Sequence, residues 1–209
     1  MLPRIDRVIT SVTETTDDGP RTVETSTWLL GDDEQVLVVD AAHDPAQIRA
    51  AIGDRRVVGV ACTHAHRHHT DQAVALADAV GAPTMLNEAD HPLWDEVHAD
   101  HGPDEDLPHD EEIAVAHVTV RVLHTPGHTP GSVCLYVPAL DVVFTGDTLL
   151  KGGPLRTDRT LSKYPQITRS LRERVLGLPP ETRVLPGHGD ETTVGAERDL
   201  PELVPPLEP

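Results

Sequence analysis

The 209-residue sequence carries 35 acidic against 17 basic side chains, for a formal net charge of −18, and its 13 histidines stand beside only two Trp, two Tyr and one Phe. The length fits one domain, here 1–209, able to bury about 70% of its unfolded surface. The charge works against nucleic acid and anionic membrane as main partners, since both would be repelled, but leaves room for a small anionic substrate at a local cationic site.

The predicted elements run as follows. MLPRIDRVIT holds no apolar signal-peptide core, and no run approaches a membrane span of about 18 apolar residues, so a cytoplasmic protein is expected. Val8–Val12 and Thr22–Leu30 are β-branched strands around the turn TDDGP, and GDDE then turns into the apolar strand Val36–Asp40. Pro45–Ile52 has helical spacing with Asp44 as N-cap. Val57–Cys62 reads as a buried strand, and Thr70–Val80 as a helix stopped by Gly81 and Pro83. Thr84–Leu86 is a brief strand and Glu88–His98 a helix. The acidic stretch 99–112 reads as an exposed loop. Strands follow at His117–His124, Ser132–Val137 and Asp141–Thr145, then an amphipathic helix over Pro165–Leu176, a strand at Arg183–Leu185 and a short helix from near Thr193. The proline-rich end, 201–209, reads as a surface tail. Alternating strands and helices make this an α/β chain. Cys62 and Cys134 are too few for a disulfide framework and sit in apolar runs as small core residues.

Four segments carry chemistry. They are Thr63-His64-Ala65-His66-Arg67-His68-His69-Thr70-Asp71, Thr125-Pro126-Gly127-His128-Thr129-Pro130-Gly131-Ser132, Thr145-Gly146-Asp147-Thr148 and Pro186-Gly187-His188-Gly189. Each follows a predicted apolar strand, where α/β scaffolds hold functional loops. Neutral imidazoles are ligands for borderline divalent metals and a carboxylate can bridge two ions, so the conjunction points to a metal centre. His64 and His66 alternate on one loop and can face one ion, while His69 turns towards another.

These segments resemble the metallo-β-lactamase-fold hydrolases, whose signature is T-H-x-H-x-D-H, a distant His, a bridging Asp and a final His. The resemblance covers about residues 5–200. HTPGHTPGS, FTGDTL and LPGHG are most similar to the short glyoxalase II-like branch, the hydroxyacylglutathione hydrolases and their relatives. The implied fold is an αβ/βα sandwich of two mixed sheets flanked by helices. The implied cofactor is one or two divalent ions, zinc first, with iron or manganese as alternatives. By position, His64, His66 and His128 would bind the first ion, His69 and His188 the second, and Asp147 would bridge them.

The departure is His68, where the motif has Asp. It removes one negative charge from the centre, which sharpens Lewis acidity and weakens retention of a second ion. Three outcomes stay open: His68 as a nitrogen ligand of a dinuclear site, a mononuclear centre on His64, His66, His128 and Asp147, or His68 turned away in an impaired enzyme.

The expected chemistry is attack of a metal-activated hydroxide on an acyl carbonyl, with Asp147 and His68 as the catalytic candidates. A thioester is the first substrate choice, because a thiolate leaves without a dedicated proton donor. Lys151, Arg156 and Tyr164 are the substrate-facing candidates. Longer glyoxalase II enzymes carry a helical C-terminal domain for glutathione, for which this chain leaves no room, so another thiol carrier is equally open. The alternatives are a mononuclear iron enzyme resembling persulfide dioxygenases, a lactone or ester hydrolase, and a metal-binding module without turnover. His43, His91, His98, His101, His109, His117 and His124 receive no role.

Overall fold

The computed structural model describes residues 3–16, 19–154 and 164–200. Strand β3 (Gln35–Val39) shows how the chain is layered: Leu37 and Val39 face one apolar core, Val36 and Val38 another. A strand buried on both faces has no polar side, which is why VLVV reads as an unbroken apolar run. The same strand lies third in a six-stranded sheet ordered β1 (Arg4–Thr16), β2 (Gly19–Gly31), β3, β4 (Arg56–Ala61), β5 (Thr84–Leu86) and β6 (Glu105–Asp106). Pairing is antiparallel as far as β3 and parallel beyond it.

The second six-stranded sheet runs β12 (Thr192–Thr193), β11 (Arg183–Pro186), β10 (Val142–Gly146), β9 (Val133–Val137), β8 (Val118–His124) and β7 (Glu112–Val115), with only β10 and β11 parallel. Between the sheets lies a core that includes Trp28, Leu37, Val120, Leu135 and Phe144. Outside the first sheet, α1 (Pro45–Ile52), α3 (Ala73–Val80) and α4 (His91–Asp95) bury Ile48, Leu76 and Trp94. Outside the second, α5 (Tyr164–Arg174) and α6 (Val194–Arg198) bury Ile167, Leu171 and Val194. The result is the αβ/βα sandwich, two mixed sheets flanked by helices. Both cysteines are free and buried.

The N-cap of α1 is Asp44, which accepts from the backbone N–H of Ala46 and Gln47 at 3.0 Å each. The predicted helix Thr70–Val80 divides instead into α2 (Arg67–Thr70) and α3. The break is made by tertiary bonds: the Asp71 carboxylate accepts from the His43 backbone N–H at 2.8 Å, and Gln72 donates its own N–H to Ala41 at 3.2 Å. Glu88–His98 shortens to a 3₁₀ turn, Glu88–Asp90, and α4. The acidic stretch 99–112 is exposed for most of its length, but it forms β6 and buries Leu107. Backbone pairing with β5 and the bonds of Asp104 to Thr84 fix that strand without any apolar alternation. A charged edge strand also discourages pairing with another chain.

The β1–β2 hairpin is longer than predicted. From Val8 and Thr27 outward it pairs only with itself, because β2 meets β3 only over Trp28–Gly31. Among the described residues no helix is long and apolar enough to cross a membrane.

Phe144 is fully buried between the sheets, with its ring centroid 6.2 Å from that of Trp28. Phe144→Ala is expected to cost about 3–5 kcal/mol in denaturant unfolding. A loss below about 1 kcal/mol would mean that the inter-sheet core closes around the cavity.

Candidate metal centre

The four chemistry-bearing segments follow β4, β8, β10 and β11 and meet at one edge of the sandwich. The first is fixed through Thr63, whose backbone N–H and hydroxyl both donate to the Asp40 carboxylate at 2.7 and 2.9 Å. Its carbonyl accepts from Val133 of the other sheet at 2.8 Å. Asp40 ends β3 in the left-handed region at φ 57°, an uncommon place for a residue with a Cβ, and its three side-chain bonds hold it there.

The imidazoles and Asp147 fall into two groups. In the first, His66 Nδ1 lies 2.9 Å from His128 Nε2, and Asp147 Oδ2 lies 3.4 Å from His128 Nε2 and 3.9 Å from His64 Nε2. In the second, His69 Nε2 and His188 Nε2 are 3.2 Å apart, and Asp147 Oδ1 lies 3.3 and 3.5 Å from them. Asp147 therefore turns one oxygen to each group. Donors about 2.1 Å from a tetrahedral ion stand about 3.4 Å apart, so both spacings fit an ion at the centre of each group.

The outer ring nitrogens set the tautomers. His69 Nδ1 meets Asp40 Oδ2 at 2.8 Å, His188 Nδ1 meets the Glu24 carbonyl at 2.5 Å, and His64 Nδ1 lies 3.2 Å from the Thr63 hydroxyl. Carbonyls and carboxylates only accept, and the Thr63 hydroxyl already donates to Asp40, so these outer nitrogens carry the hydrogen and Nε2 is the atom that turns a lone pair inward, on His69 once its second proton is lost. His64 Nε2 is buried with no hydrogen-bond partner among the described residues. A buried acceptor aimed into a set of nitrogens and carboxylate oxygens is what a divalent cation would satisfy. These His and Asp side chains form a cluster of the metal-binding type.

Electrostatics follow the same division. Burial, then the neighbouring imidazoles, hold His64 well below the usual histidine range, so it is neutral. Burial opposes the charge on His69 too, but Asp147 and Asp40 on either side outweigh it and push its pKa up to about 10. Burial opposes ionisation of Asp147, yet His69 above all holds it well below the usual carboxylate range.

Two glycines make room. A Cβ on Gly187 would collide with the His69 ring and lie 3.0 Å from Asp147 Oδ1, and one on Gly146, at φ 48°, would collide with the Thr63 hydroxyl.

The structure brings His64, His66, His69, His128, Asp147 and His188 together. It places His68 elsewhere: Nε2 is 3.5 Å from Glu14 Oε1 on the β1–β2 hairpin, and its ring stands edge-on to His43 at 5.6 Å. Lys151 is exposed and paired with Asp190 at 3.1 Å, which joins the Asp147 and His188 loops at the rim. Tyr164 is half-buried at the first residue of α5. Arg156 lies outside the described residues. Sequence reading passed over Asp40, although an aspartate closing an otherwise apolar strand was a usable signal.

Residues 20–188 match the family described as the metallo-beta-lactamase superfamily. The chain is 32% identical over 196 residues to a probable metallo-hydrolase, YqgX, of Bacillus subtilis, across 87% of this chain and 92% of that one. Over a shorter stretch of 78 residues, 37% of each chain, it is 40% identical to the hydroxyacylglutathione hydrolase GloC of Haemophilus influenzae. Among solved structures it is similar to TTHA1623 in a di-iron-bound form, at 30% identity and a TM-score of 0.72, covering 91% of this chain and 98% of that one. The chain belongs to the metallo-beta-lactamase superfamily.

Two outcomes are expected. Loading the ion-free protein with zinc at neutral pH should release about one proton from His69 and none from His64, so affinity should rise with pH. Calorimetry in buffers of different ionisation enthalpy reads the total release, to which a metal-bound water adds, and zero net release would contradict the charge state derived for His69. Gly187→Ala should lose metal from the His69 group first, and equal retention of both equivalents on gel filtration would show that the ring moves aside freely.

Proposed function

We propose that the chain is a metal-dependent hydrolase that cleaves an acyl bond, with a thioester as its preferred substrate. The observation that carries this reading is Asp147, which presents one oxygen to each of two convergent donor groups. In this reading His64 Nε2, His66 Nδ1, His128 Nε2 and Asp147 Oδ2 hold one ion, and His69 Nε2, His188 Nε2 and Asp147 Oδ1 hold the other. Zinc fits these nitrogen-rich groups, with iron and manganese as alternatives. Ions held there would supply a nucleophilic water near neutral pH and a positive charge for the carbonyl oxygen.

The chain's own residues do the rest. Asp40 and the Glu24 carbonyl accept from the outer nitrogens of His69 and His188 and so leave the inward Nε2 atoms as the ones that would meet an ion. The buried walls exclude bulk water, which strengthens every charge interaction inside. A thiolate leaves without a proton, so the site needs no acid beside the scissile bond. That suits a centre whose position 68 carries no carboxylate. Lys151 is the candidate for a substrate carboxylate, since its exposed pair with Asp190 is worth about 0–1 kcal/mol and opens readily. The stretch shared with a hydroxyacylglutathione hydrolase supports the thioester choice.

The test is turnover of thioesters, esters and lactones by protein of measured metal content. Thioesters should be cleaved best, and His128→Ala should lower kcat/KM by more than about a hundredfold. A metal-loaded protein inactive on the whole panel would sink the hydrolase reading. His68 stands outside both donor groups in this reading. His68→Asp is therefore expected to raise the second equivalent retained after desalting. An unchanged metal content would mean that position 68 does not limit the second ion.

A further inference from the structure

Asp90 closes the 3₁₀ turn Glu88–Asp90 and takes the N-cap position of α4, outside the four metal-motif segments and fully buried. Its Oδ2 accepts from the Ala65 backbone N–H at 2.9 Å and from the Thr129 hydroxyl at 2.7 Å, and its Oδ1 accepts from the Gly131 backbone N–H at 2.6 Å. Ala65 stands between His64 and His66. Thr129 follows His128. One carboxylate thus ties a loop of the first sheet to a loop of the second.

The base of this tie is rigid. The Asp90 backbone N–H donates to the Asn87 carbonyl at 3.0 Å, and the Asn87 amide donates to the Leu107 carbonyl at 2.9 Å. Trp94, on α4, is fully buried in the outer core and donates its ring N–H to His101 at 2.6 Å. On the other side, a Cβ at Gly131 would stand 2.7 Å from the Asp90 backbone nitrogen and 2.8 Å from its side chain, so only glycine lets the loop come this close. All three partners donate, and both carboxylate oxygens are used. An asparagine would set its NH₂ against one of these donors.

We propose that Asp90 is the positioning residue of the first donor group: it sets the separation of the His64–His66 loop from His128, and with it that group's affinity and ligand geometry. This rests on the metal-centre reading above. His66 Nδ1 and His128 Nε2, 2.9 Å apart, belong to the two loops that Asp90 joins. Asp40 supports both halves, through Thr63 beside His64 and through His69, and the Glu24 carbonyl supports His188. Among the described residues, the side-chain bonds of Asp90 go to the first donor group's loops alone.

The experiment is cobalt(II) titration of the whole chain, followed by visible ligand-field absorption, for wild type, Asp90→Asn and Thr129→Val. Asp90→Asn should weaken the first equivalent by about 10–100-fold and shift its absorption bands, with the second equivalent unchanged. Thr129→Val keeps two of the three bonds and should shift the bands less, in the same direction. Two results would overturn the proposal: wild-type bands and first-equivalent affinity in Asp90→Asn, or equal weakening of both equivalents in step with a lower unfolding temperature. Should Asp90→Asn fail to fold, unchanged bands in Thr129→Val overturn it. A wild-type chain that binds no cobalt removes the metal-centre reading itself, and this inference with it.

Discussion

A carboxylate buried among imidazoles governs the architecture of the site. Asp147 cannot be hydrated where it stands, so its charge must be met by whatever the surrounding loops present. They present His64 and His128 to one oxygen and His69 and His188 to the other. Inward lone pairs do not offset a carboxylate, so the charge is met by the proton held on His69 or by a cation among these donors. The positions of four loops are in that sense dictated by one side chain.

The sandwich meets this demand by delivering loops from both sheets to one edge. β4 brings Thr63 and the first histidines, β8 brings His128, β10 brings Asp147 and β11 brings His188. Between them sit groups that never approach a substrate. Asp40 aligns His69 and Thr63, and the Glu24 carbonyl aligns His188. Trp28 reaches from the inter-sheet core to the Pro186 carbonyl at 3.0 Å, just before Gly187 and His188. Core packing and site geometry are thus coupled: the ring that fills the space between the sheets also anchors the loop that carries His188.

The sequence made the fold legible wherever burial imposes a period. β3, β4, β8, β10 and α1 follow from apolar runs and a capping Asp. The elements that escaped are those whose cause lies elsewhere in the chain. β6 is two acidic residues, Glu105 and Asp106, held by backbone pairing with β5. The helix read as Thr70–Val80 is interrupted because Asp71 turns to His43, a partner 28 residues away. The site shows the same pattern. Its histidines and Asp147 announce themselves by type and order. Asp40 is marked only by closing an apolar strand, and Asp90 not at all, because its partners, Ala65, Thr129 and Gly131, lie 25 to 41 residues away. The departure at position 68 was visible as a letter, but its surroundings, Glu14 and His43, come from two other elements.

The hydrogen bond between His188 and Glu24 joins residues 164 positions apart, and the contact between His69 and His188 spans 119. Closing loops of that size carries a large entropic cost early in folding and is repaid only once the sheets have docked. The His69 and His188 group therefore cannot exist on a partly folded chain. A ligand that recognises only the finished arrangement draws the folding equilibrium towards it by mass action, in proportion to its free concentration. Supply of the ion would then govern how long each molecule persists against unfolding and proteolysis, quite apart from how fast it turns over.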